Sequence, residues 1–108
     1  MRLDRSIAYS KDLTATDKLI WCIVADKCDS AMHFDGTRWA VLSITSLAQS
    51  IGVARNTAVR SLQRLCEAGL VERQISMIQG YPDRYSVPEQ DVIDAIIDAL
   101  ARHSTSKQ

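Results

Sequence analysis

Between Arg55 and Arg64 the chain reads RNTAVRSLQR, a run in which hydrogen-bond donors recur on one side of a helix. At helical spacing Asn56, Arg60, Gln63 and Arg64 share a face, with Thr57 and Val59 at its margins and Arg55 projecting from the first turn. Ala58, Leu62 and Leu65 fall on the opposite side, and Ser61 is small enough to lie beside a crossing helix. No carboxylate interrupts the donor face before Glu67. The chemistry this pattern suits is recognition rather than bond-making. A guanidinium offers two parallel N–H groups that match N7 and O6 of guanine, and an Asn or Gln amide makes the paired contact to adenine. Val59 has two readings, contact with a thymine methyl or ordinary side packing.

Such a face is useful only if the chain holds it outward, and the preceding residues supply the means. Ser43 is placed to cap a short helix over Ile44–Ile51, in which Ile44, Leu47, Ala48 and Ile51 make an apolar stripe. Gly52 then stands where a chain leaves a helix in the left-handed conformation. A second helix begins after Ala54 and ends at Ala68, closed by Gly69, with Leu70 and Val71 entering an extended segment. A short helix, a glycine turn and a second helix with a basic, amide-rich outer face form the arrangement that sets a helix in the major groove of duplex DNA.

The run SLAQSIGVARNTAVRSLQRLCEAGLVER, from Ser46 to Arg73, resembles the winged helix-turn-helix domains of bacterial, phage and plasmid regulators and replication proteins. The likeness extends over about residues 13–87. It implies that Arg55, Asn56, Thr57 and Arg60 face the groove, and Ser43 and Thr45 belong to the same candidate DNA-binding set. Ala54 departs from the pattern, which usually has a serine cap there; the missing oxygen costs about 1 kcal/mol of helix stability.

The resemblance also implies a wing over residues 70–87. LVERQIS and RYSV read as extended segments around a turn bearing Gly80 and Pro82. No Arg or Lys lies between Gln74 and Asp83, and Met77 and Ile78 occupy the neighbourhood of the tip. Minor-groove reading usually relies on inserted basic side chains. The wing is therefore expected to give only backbone contacts, from Arg73, Gln79, Tyr81 and Arg84, while Tyr85 and Val87 point inward.

Charge distribution agrees with a nucleic-acid partner although the net charge is zero. Residues 36–87 hold six arginines, no lysine and three acidic residues, whereas both flanks are net acidic. A basic centre between acidic flanks attracts phosphates and orients the molecule on them. The three cysteines have no paired spacing and point to a reducing cytoplasm. Cys28 and His33 are the only arguable ligand pair, and neither a metal nor another cofactor is implied. MRLDRSIAYS lacks the apolar core of a targeting segment, and LIWCIVA is too short to span a bilayer. No catalytic constellation is readable, so no enzyme is expected.

The other elements frame this centre. T-x-x-D at Thr14 and Asp17 resembles a capping box opening a helix that runs to about Cys28 and is apolar almost all round. Trp21 on it is a candidate contact with a second subunit, unless the amino-terminal residues or the last helix cover it. Residues 29–38 read as a loop, and the short apolar run Trp39–Leu42 is the small first strand that the resemblance to winged-helix domains implies. After Pro88 a last helix over Glu89–Arg102 carries a stripe of Val92, Ile93, Ile96, Ile97 and Leu100. That stripe suits either a dimer interface or packing on the helix from Thr14. The residues beyond Arg102 are polar and expected to be mobile.

The sequence thus predicts an α+β chain: one winged helix-turn-helix domain over residues 1–108 with an additional C-terminal helix. Its helix-turn-helix spans residues 43–69. Double-stranded DNA, a homodimeric partner on an inverted repeat and no membrane are the expected associations. The competing reading from another class is a winged-helix protein-interaction module that does not read DNA by itself.

Overall fold

A computed structural model describes residues 5–106. The elements in chain order are α1 (Arg5–Tyr9), α2 (Ala15–Asp35), β1 (Ala40–Val41), α3 (Ile44–Ile51), α4 (Arg55–Ala68), β2 (Glu72–Gln74), β3 (Arg84–Ser86) and α5 (Gln90–Ser106). This is an α+β winged helix-turn-helix with a final helix.

Helix α2 starts where the sequence places it. The Thr14 hydroxyl accepts from the Asp17 amide at 3.1 Å, and the Asp17 carboxylate accepts from the Thr14 amide at 3.2 Å. These reciprocal bonds use two amides that a helix start otherwise leaves unpaired. The helix does not end near Cys28, however. It runs through the expected loop to Asp35, because nothing from Asp29 onward breaks a helix until Gly36. Gly36 takes a left-handed φ of 71° and donates its amide to Met32 at 3.0 Å. The predicted first strand shrinks correspondingly to Ala40–Val41.

Three strands form an antiparallel sheet in the order β1-β3-β2. Tyr85 in the central strand pairs with Ala40 on one side and Arg73 on the other. Its ring is buried, and the Cys28 thiol donates to its carbonyl at 3.3 Å, tying α2 to the sheet. Val87 is buried as well, as expected, but Ser86 between them is 0% exposed too, so this stretch is covered on both faces rather than alternating.

Trp21 requires a correction. It is 0% exposed, and its indole N–H donates to the Leu70 carbonyl at 3.0 Å. The ring belongs to this chain's own core, packed between α2 and the segment leaving α4, and offers no surface to a second subunit. The same holds for Ile93, which is also 0% exposed. Ile96 and Ile97 pack partly against the core, Leu100 is half-buried, and Val92 is exposed. The apolar stripe of α5 is therefore used mainly inside the chain.

Helix α1 was not legible in the sequence. Its Ile7 is fully buried, and the element packs on α5, with the Ser6 hydroxyl donating to the Asp94 carboxylate and the Lys18 ammonium donating to the Ala8 carbonyl at 2.9 Å. Five residues make a helix too short to stand alone, so tertiary packing must hold it. α5 continues four residues beyond Arg102, and only the last two of the residues expected to be mobile, 107 and 108, lie outside the described ones.

Candidate nucleic-acid interface

Helix α3 is capped by Ser43, whose hydroxyl accepts from the Ser46 amide at 3.3 Å. Gly52 closes it with φ 73° and ψ 32°, and the Val53 amide reaches back to the Ala48 carbonyl at 3.0 Å. A β-carbon at Gly52 would meet no atom, so only the backbone conformation demands glycine there. The turn sets α4 across α3 with Ala58, Ser61, Leu62 and Leu65 buried. Leu65 and Ala58 are fully enclosed. Burial of that stripe fixes which side of α4 faces water.

The exposed side carries Arg55, Asn56, Thr57, Arg60, Gln63 and Arg64, with Val59 half-buried at the margin. Ala54 occupies the cap position with no side-chain hydrogen bond, and no acidic residue stands in the first turn of α4. The opening amides and the Arg55 guanidinium thus leave that end electropositive. Ala54→Ser is expected to stabilise the fold by about 1 kcal/mol, raising the melting temperature by roughly 4–8 °C in a thermal unfolding experiment.

The wing converges on the same end. Arg55, Ser43, Thr45 and Ile44 line a groove of about 450 Å³ together with Arg73, Tyr81, Pro82 and Asp83 of the wing. A neighbouring crevice holds Val59, Gln63 and Cys66 beside Arg55 and Arg73. Val59, half-buried, lines that crevice at the edge of α4. Burial pushes the Cys66 thiol up, which keeps it protonated at neutral pH. Gln79 and Tyr81 are exposed at the wing tip, beside Ile75, Met77 and Ile78.

Half of the arginines in residues 36–87 are committed to carboxylates. Arg38 pairs with Glu72 at 3.2 Å, Arg73 forks onto Asp83, and Arg64 reaches Asp17 at 2.8 Å. Arg55, Arg60 and Arg84 have no ion pair among the described residues. Arg64 is thus the member of the expected donor face that the structure redirects. It sits on the α2 side of α4, where Asp17 takes its Nε and Nη2 groups. Asp83 also accepts from the Ser76 amide at 2.9 Å, which organises the wing turn.

The sequence marks Asp17 only as a capping residue and carries no local signal of its partnership with Arg64. Burial opposes its ionisation, but the Arg64 guanidinium, the Ser61 hydroxyl and the Thr14 amide together outweigh that and hold its pKa below the ordinary value. A depressed folded-state pKa stabilises the fold above the unfolded value of about 4, and that contribution is lost as pH falls through the lower folded value. Parent protein should accordingly lose more stability than Asp17→Asn between about pH 5 and pH 2 in acid unfolding followed by circular dichroism.

A helix-turn-helix whose second helix shows an amide- and arginine-rich face, flanked by a two-stranded wing that a third strand extends into a small sheet, defines a winged helix-turn-helix DNA-binding domain. The sequence matches the family model described as a helix-turn-helix domain over residues 11–71, and the chain belongs to that family. A search of curated proteins found no match. Among solved structures the fold is similar to that of a "Possible transcriptional regulator" from Methanosarcina mazei Go1, with TM-score 0.60 and 19% identity over 94% of this chain and 78% of that one. No helix among the described residues is long and apolar enough to cross a membrane.

Proposed function

We propose that this protein is a non-enzymatic, sequence-specific binder of double-stranded DNA that works as a homodimeric regulator in the cytoplasm. Transcription is the process the reading favours, since the structural neighbour is described as a possible transcriptional regulator. Accessory roles in phage or plasmid replication or partition use the same mechanism of site occupancy. The observation that carries the reading is the exposed face of α4. Arg55 and Arg60 stand there without a carboxylate among the described residues, next to the amides of Asn56 and Gln63. Solvent-facing donors in that order match base edges, and Ser43 and Thr45, which share a groove with Arg55, suit phosphates, while Arg84 lines the apolar groove of the wing.

A single recognition helix reads only a few base pairs, and two in successive major grooves, about one helical turn apart, supply the remaining specificity. Val92 and the outer parts of Ile96, Ile97 and Leu100 on α5 are the surface offered to the second copy. Selection from a random duplex pool at near-physiological salt tests the reading. An enriched inverted repeat with half-sites about ten base pairs apart is the expected outcome. Salt-sensitive binding without enrichment would overturn sequence-specific recognition.

One observation favours a second reading, a protein-interaction module. The wing displays Ile75, Met77, Ile78 and Tyr81, each at least 63% exposed, around a groove that also includes Val41 and Pro82. Apolar side chains gathered in this way suit a protein partner. Under this reading the selection fails, and substitutions on the wing abolish a complex that substitutions on α4 leave intact.

A further inference from the structure

We propose that Asp17 is a positioning residue for DNA recognition: from the first turn of α2 it holds Ser61 and Arg64, fixes the rotation of α4 about its axis and withdraws one cation from the duplex. The inference rests on the DNA-binding reading above.

The Asp17 side chain is 3% exposed. Its Oδ1 accepts from the buried Ser61 hydroxyl and from Arg64 Nη2 at 2.8 Å, while Oδ2 accepts from the Thr14 amide at 3.2 Å and Arg64 Nε at 3.4 Å. Capping requires only the bond from Thr14. The remaining bonds run to two residues of α4 one turn apart, and two anchors on one side of a helix determine its rotation. Burial makes this arrangement decisive: a carboxylate out of water is stable only while its donors stay in place. Arg64 is anchored at one end and half exposed, with 49% of its side chain accessible. The clamp therefore joins the body of the protein directly to the edge of the recognition face. Arg60 and Asn56, on that face, depend on the rotation to meet base edges, where tolerances are about 10–20°.

The neutralised Arg64 contributes no charge to phosphate binding, and this separates positioning from mere stability. Affinities of the parent, Arg64→Gln and Asp17→Asn are measured for the selected duplex and a scrambled one over a salt series. Arg64→Gln should leave the slope of log K against log salt unchanged and lower the preference for the selected duplex roughly fivefold or more. Asp17→Asn, nearly isosteric, releases Arg64 to a phosphate, so its slope should steepen by about 0.9 while preference falls similarly. A shallower slope for Arg64→Gln means that Arg64 already contacts phosphate and overturns the proposal. Parental preference in Arg64→Gln overturns it too, and that half-exposed substitution decides the matter alone if Asp17→Asn fails to fold. A parent without preference for any duplex overturns the DNA reading itself, a result distinct from a discriminating parent with equally discriminating variants.

Discussion

Arg60→Ala should lower affinity for the preferred duplex by about 1–3 kcal/mol, roughly 5- to 150-fold, and relax selection at one base position. The magnitude follows from where the side chain sits. Arg60 lies on the exposed face of α4, opposite the buried stripe of Ala58, Ser61, Leu62 and Leu65, and has no ion pair among the described residues. Its guanidinium is therefore available for a bidentate contact, and alanine removes that contact without disturbing the core. Unfolding temperature should change little, because surface substitutions away from caps and ion pairs usually cost under about 0.5 kcal/mol. Titration of fluorescent duplexes with the parent and variant proteins measures the effect. Equal affinity for the selected duplex would remove Arg60 from the recognition set.

The largest effect on stability is expected at Trp21. Trp21→Ala should cost about 3–5 kcal/mol, since the indole is wholly enclosed and its loss leaves a large cavity. Typical domains are stable by about 5–15 kcal/mol, so the variant would approach or cross the limit of folding. Trp21→Phe separates the two contributions. It keeps most of the ring but strips the Leu70 carbonyl of its donor, which alone costs about 1–3 kcal/mol. Urea unfolding gives both values. Sedimentation of Trp21→Phe should show the same assembly as the parent, because the ring faces α4 and its exit rather than a second copy. A shift toward monomer would return Trp21 to the interface.

These two residues show how far the sequence can be read and where it stops. The outer face of α4 was legible because helical periodicity is local: once Leu62 and Leu65 are inward, Arg60 and Gln63 must be outward. The capping box at Thr14, the serine cap at Ser43 and the left-handed turns at Gly52 and Gly69 were legible for the same reason, since each depends on bonds within a few residues. Trp21 was not, because an apolar helix on all sides carries no sign of which neighbour covers which side.

Local chemistry in the sequence by itself determined the two helices around Gly52, the donor face on the second of them and the cation-free wing tip, and the resemblance of that run to winged helix-turn-helix domains supplied the rest of the plan. The tertiary structure alone decided that Trp21 and Ile93 are core and that α1 docks on α5. It also decided that Arg64 binds Asp17, a residue 47 positions earlier in the chain. Spacing along the chain says which side of a helix a residue occupies, whereas a partner across the fold exists only once the helices have packed.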